Sequence, residues 1–149
     1  MKVTLIIIQA LLSISLLAQS NSGPIVAQDK VQYCNLTVKI EGVKSDQGTM
    51  MVALYNTHEA WLSKAYMGKS SLIEEGKATV TFENLPLGTY GVSTYQDENN
   101  NEKLDTGLFG IPKEPYASSR GAKAIFGPPK WKDAKFDLNS ESQVELIKY

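Results

Sequence analysis

Asp97, Asn99, Asn101 and Asp105 place oxygen-bearing side chains at alternate positions of one short segment, Asp97-Glu98-Asn99-Asn100-Asn101-Glu102-Lys103-Leu104-Asp105. That spacing suits a hard cation. Ca²⁺ takes about six to eight oxygens at roughly 2.3–2.6 Å, and loops that bind it offer Asp or Asn at places one, three and five, a backbone carbonyl at seven and a further oxygen at nine. Counted from Asp97, those places fall on Asp97, Asn99, Asn101, Lys103 through its carbonyl, and Asp105. The sixth place, where a sharp turn wants Gly, holds Glu102, and the twelfth, where a bidentate Glu closes the shell, holds Leu108. The segment is therefore not a standard EF-hand. A polar hairpin tip without metal is the competing reading, because Asn and Asp tolerate left-handed backbone and bond their own neighbours in turns.

Other chemistry is thinly represented. The chain has one histidine, His58, and one cysteine, Cys34, with Ser118 and Ser119 in a Gly/Pro-rich stretch. No nucleophile elbow or paired catalytic motif accompanies them, so a hydrolase using His58 is a minor alternative. His58 has no second His at four residues and no Cys pair, which leaves zinc without support. Trp61, Tyr66, Glu114, Tyr116 and Trp131 are candidates for a ligand-binding surface at one end of the fold, with Trp61, Glu114 and Tyr116 the residues retained as weak site candidates. Core packing is the better reading for both tryptophans. Glu114 has two: an extra acidic ligand swinging toward the Asp/Asn loop, or a salt bridge to a nearby Lys.

Charge narrows the partners. With 15 Lys and Arg against 16 Asp and Glu, the formal net charge is −1, and no basic stripe runs along the sequence. Nucleic acid is not an expected partner. Met1-Lys2 precedes an apolar run from Val3 to Leu17 and the small-residue site Ala18-Gln19-Ser20, the pattern of a secretory signal peptide over residues 1–20. A leader at 21–32 and one domain at 33–149 follow. Stable membrane insertion after signal cleavage is not expected, and the address is periplasmic or extracellular. A lone cysteine excludes an intramolecular disulfide, so Cys34 is read as a buried thiol in the first strand.

Positioning of the Asp/Asn loop falls to strands. Leu36–Ile40, Met50–Tyr55, Lys77–Phe82 and Thr89–Tyr95 carry the alternation or apolar run of strands, and Ala134–Leu138 with Gln143–Tyr149 form a closing hairpin. The pattern predicts an all-β, antiparallel Ig-like or transthyretin-like sandwich of about seven strands. His58–Ala65 is expected to form one short crossing helix, and residues 107–130 a long irregular excursion. Leu85-Pro86-Leu87-Gly88-Thr89-Tyr90 is a turn that Tyr90 closes with its hydroxyl, in the manner of a tyrosine corner.

Four ordered elements, Phe82-Glu83-Asn84-Leu85-Pro86-Leu87-Gly88-Thr89-Tyr90, Asp97 to Asp105, Gly110 to Tyr116 and Pro129 to Phe136, together resemble the DUF2141 family of exported bacterial proteins of unknown function. The likeness runs over about residues 34 to 149. It implies a signal-bearing β-sandwich similar to transthyretin-like and carboxypeptidase regulatory-like modules, with no established activity. The family loop typically reads Asp-x-Asn-Gly-Asn-Gly-x-Leu-Asp, whereas this chain has Asn100 and Glu102 in place of the glycines. The combined expectation is an exported, non-enzymatic domain with Ca²⁺ as candidate cofactor and an envelope polysaccharide or protein as partner. Its alternative is a metal-free structural domain of the envelope.

Overall fold

The computed structural model describes residues 32–125 and 127–149. The signal segment 1–20 and the leader up to residue 31 lie outside the described residues. Eight strands form, β1 (Tyr33–Glu41), β2 (Thr49–Tyr55), β3 (Met67–Leu72), β4 (Lys77–Pro86), β5 (Gly88–Asp97), β6 (Tyr116–Ser118), β7 (Phe136–Leu138) and β8 (Ser142–Lys148), with one helical turn, α1 (Trp131–Ala134). They make two sheets. One has the order β4-β1-β8, and the other runs β3-β2-β5-β6 with β7 also paired to β5.

Alternation decides which face is buried. Leu36, Val38 and Ile40 of β1, Met50, Val52 and Leu54 of β2, Val80 and Phe82 of β4, and Val92 of β5 join one buried cluster. Their polar neighbours along each strand point outward. The result is an all-β sandwich. Cys34 is buried at the start of β1, and burial raises its thiol pKa above the usual value.

Four details differ from the expectations drawn from sequence, the first being that no closing hairpin forms, since β7 pairs with β5 and β8 with β1. The segment 58–65 is a series of turns rather than a crossing helix, and the only α-helical turn among the described residues is α1, far later in the chain. Trp61 explains the arrest: its ring packs edge-on against Tyr55 at 4.9 Å and its indole N–H donates to the Pro129 carbonyl at 2.7 Å, while Leu62 adopts a φ of 57° that no α-helix allows. The sandwich is also not wholly antiparallel, since β8 returns parallel to β1 with Val38 opposite Glu145 and Ile40 opposite Ile147. Finally, β3 has no counterpart among the expected strands. It is an edge strand with most residues exposed, so its sequence carries no apolar alternation.

The tyrosine corner forms as the sequence suggests: Tyr90 donates its hydroxyl to the Pro86 carbonyl at 2.8 Å. This locks the tight β4–β5 connection and sets the line of β5, whose far end is Asp97.

Candidate functional site

Asp97 ends β5 directly opposite Thr49, the first residue of β2. Its side chain is 1% exposed, and both carboxylate oxygens accept backbone N–H groups, Oδ1 from Asn101 at 3.0 Å and Oδ2 from Glu102 at 2.7 Å. A carboxylate buried in this way stays soluble in the fold because charge-assisted bonds replace its water. The Asn101 N–H is shared with Asn99 Oδ1 at 3.1 Å, which ties the first and third places of the loop together.

Asp105 gathers the other members. Asn99 Nδ2 donates to its Oδ2 at 2.8 Å, and Asn101 Nδ2 donates to its Oδ1 at 3.1 Å. Asn101 Oδ1 in turn accepts the Lys103 N–H at 2.8 Å. The four side chains thus form one connected network rather than splaying into solvent. Asn100 and Glu102 adopt φ values of 57° and 61°. Chain direction reverses there as glycine would allow, at a cost of about 1 kcal/mol for Glu102.

Two supports hold the loop from outside. Glu114, itself buried, accepts the Glu98 N–H on Oε1 at 3.0 Å and the Asp105 N–H on Oε2 at 2.8 Å, so one carboxylate clamps both ends of the loop. On the other side, Gln96 Nε2 donates to the carbonyls of Ser45 and Gln47, Gln47 Nε2 donates to the Glu98 carbonyl, and Thr49 Oγ1 donates to Asn100 Oδ1. Gly48 completes the contact. A Cβ built there would lie 1.9 Å from the Asp97 carbonyl oxygen, and its φ is 76°.

The electrostatics are one-sided. Among the described residues no Lys or Arg nitrogen comes within 4.0 Å of Asp97, Asp105 or Glu114. Tyr95, on the preceding strand, has its pKa raised first by burial and then by the charges of Asp97, Glu114 and Glu102. Negative charge therefore accumulates here with N–H groups as its main compensation. Among the described residues no group of three or more His, Cys, Asp or Glu side chains is placed to hold a metal ion.

The remaining candidates scatter. Glu114 is part of the loop's frame, and Tyr116 sits beside it on β6 opposite Tyr95. Trp61 lies elsewhere: it packs on Tyr55 and, at 5.6 Å, on Trp131, at the end of β2 opposite Thr49, roughly 20 Å along the strand. His58 is exposed with only Glu59 near, at 3.9 Å. Ser119 spends its hydroxyl on the fold, donating to the Ala134 carbonyl at 2.6 Å and accepting the Val92 N–H at 2.9 Å.

Sheet order and loop together define a β-sandwich that carries an oxygen-rich, negatively charged loop at one end. The family described as "Uncharacterized protein conserved in bacteria (DUF2141)" matches residues 38–145, and the chain belongs to that family. No match was found among curated proteins, and none among solved structures. No helix among the described residues is long and apolar enough to cross a membrane.

Proposed function

We propose that the chain is an exported, non-enzymatic sandwich domain that holds Ca²⁺ or a similarly hard cation in the loop 97–105. Asp97, Asn99, Asn101 and Asp105 supply side-chain oxygens, Lys103 supplies its carbonyl, and water completes a shell of about six to eight. One observation carries this reading: the side chains of Asp97, Asn99 and Asp105 all accept hydrogen bonds from Asn101, with no basic partner within 4.0 Å among the described residues. Asp97, Asp105 and Glu114 bring three carboxylates, which repel one another, to this end of the fold, bonded to N–H groups but to no basic side chain among the described residues. A cation offsets that repulsion.

The left-handed backbone at Glu102 adds support, since the sixth place turns as the pattern requires despite its side chain. The non-enzymatic part rests on the exposed His58 and on Ser119 being committed to backbone bonds. Extracellular modules bind Ca²⁺ with Kd values of roughly 10⁻⁴–10⁻³ M, so an address outside the cytoplasm matches a loop of modest charge. Calorimetric titration with Ca²⁺ and with Mg²⁺ tests the site. Ca²⁺ is expected to bind at about one equivalent, with Asp105→Asn weakening it at least tenfold; no heat from either ion would remove the proposal. Mass analysis of the secreted or periplasmic protein tests export, with a new N-terminus near residue 21 as the expected result.

A further inference from the structure

A hairpin finger rises from the last residue of the Asp/Asn loop. Lys113 donates its N–H to the Asp105 carbonyl at 2.8 Å, Thr106 lies opposite Pro112 in an antiparallel bridge, and Gly107 donates its N–H to the Ile111 carbonyl at 2.7 Å. Leu108, Phe109 and Gly110 are left as the tip. The apolar side chains of the finger face water: Leu108 is 83% exposed, Phe109 98% and Ile111 64%. None of the three joins the buried core or packs against it. Phe109 also holds a φ of 62°, a region that a bulky side chain enters only under strain. Glycine would make the same turn without presenting a ring to solvent.

Area, reach and charge decide what covers the tip. Three side chains so exposed present on the order of 500 Å² of apolar surface, at the upper range of patches on monomers yet well short of the roughly 800 Å² per partner in a stable protein–protein interface. A bilayer needs no matching partner surface. Extended backbone carries Phe109 roughly 10 Å beyond Asp105, and apolar groups anchored at a membrane surface reach roughly 5–10 Å into the boundary of headgroups and acyl chains. The Lys113 stem runs along the finger, with its Cε 3.5 Å from a Cβ built at Gly107, and no carboxylate lies within 4.0 Å of its ammonium among the described residues. Lys123 and Ala124 line one cleft with Lys113, which puts Ile125, 76% exposed, on the same flank as a second apolar point beside a second ammonium.

We propose that this finger docks the protein on the surface of a zwitterionic phospholipid bilayer, with Leu108, Phe109 and Ile111 entering the acyl boundary and Lys113 meeting the lipid phosphates. A lysine suits that position because its apolar stem lies beside the inserted groups while its ammonium stays at the wet level. The acidic loop at the base of the finger meets headgroups that pair each phosphate with an ammonium. The chain rests on the membrane without crossing it. Docking does not rest on a cation in the loop 97–105, so it is tested in chelator.

Flotation of the mature chain with vesicles of phosphatidylcholine and phosphatidylethanolamine measures the docking. The wild type is expected to float with the vesicles, and Leu108→Ser combined with Phe109→Ser to lower its partitioning about tenfold or more. The same pair keeps the wild-type Tm within about 2 °C, since neither side chain joins the core. Tyr33→Ser leaves partitioning unchanged, because Tyr33, 54% exposed, sits beside Pro86 at the end of the sandwich away from Asp97. Phe109→Trp is a second readout: vesicles move its added emission to shorter wavelength, a change absent from the wild type. A wild type that does not float, equal partitioning of the serine pair, an equal loss in Tyr33→Ser or an unshifted Trp at 109 overturns the assignment. So does a concentration-dependent dimer that ignores vesicles and is lost in the serine pair, which would make a second copy of the chain the occupant.

Discussion

The two ends of β5 are held by different physics. At Gly91 the strand is covered by rings: a Cβ built there would meet Trp131 Cζ3 at 2.8 Å and Trp61 Cζ3 at 3.0 Å. At Asp97 it is held by short polar side chains and backbone N–H groups, with Gly48 pressed against the Asp97 carbonyl. The aromatic end depends on volume and is indifferent to ions. The polar end depends on charge and distance, so it alone can exchange stability with a bound cation. One strand therefore joins an aromatic anchor to a polar tip, the part on which the proposed cation would act.

The largest expected effect falls on the polar end. Gly48→Ala adds a left-handed penalty to a clash with backbone that cannot rotate away, a loss of about 3 kcal/mol in chemical denaturation. Glu114→Ala follows closely, at about 2–3 kcal/mol, because the N–H groups of Glu98 and Asp105 lose a shared charged acceptor. Gly91→Ala at the aromatic end costs roughly 2 kcal/mol by overpacking alone, and its loss is the same in Ca²⁺ and in chelator. A Ca²⁺-dependent loss at Gly91 would break the contrast between the ends.

Alkaline pH acts on both ends alike. Burial raises the pKa of Tyr55, Tyr90 and Tyr95, and most strongly that of Tyr149, whose hydroxyl shares a 2.9 Å bond with Thr94 Oγ1. A raised folded pKa means the unfolded chain loses its proton first. Stability is then full below the ordinary tyrosine value of 10.0 and falls as pH climbs above it. Tyr149→Phe is expected to flatten that fall in a pH series of thermal melts. The smallest effect is a gain: Glu102→Gly relieves the φ of 61° and stabilises by about 0.5–1 kcal/mol, with the loop otherwise unchanged.

Legibility in the sequence followed the range of the interaction. The Asp/Asn loop was readable because its bonds join residues two to six apart, and the Tyr90 corner because its acceptor is four residues back. Strands with buried alternation, β1 and β4 above all, were equally plain. The sequence marks Glu114 as an acidic residue that swings toward the loop or pairs with a Lys; it does reach the loop, but as a backbone clamp across 16 residues to Glu98, with no Lys within 4.0 Å among the described residues. The turns at 58–65 read as a helix because Trp61, Leu62 and Ala65 have helical spacing, whereas tertiary contacts of Trp61 with Tyr55 and Pro129 decide the backbone.

Thermal unfolding of wild type, Asp97→Asn and Asp105→Asn, each with Ca²⁺ and with chelator, tests the central claim most directly. At ten times Kd the wild-type midpoint is expected to rise by roughly 5 °C, corresponding to about 1.4 kcal/mol, while both variants shift by no more than about 1 °C. A wild-type midpoint that is the same with and without Ca²⁺, or an equal rise in all three proteins, would contradict a cation held by the 97–105 loop.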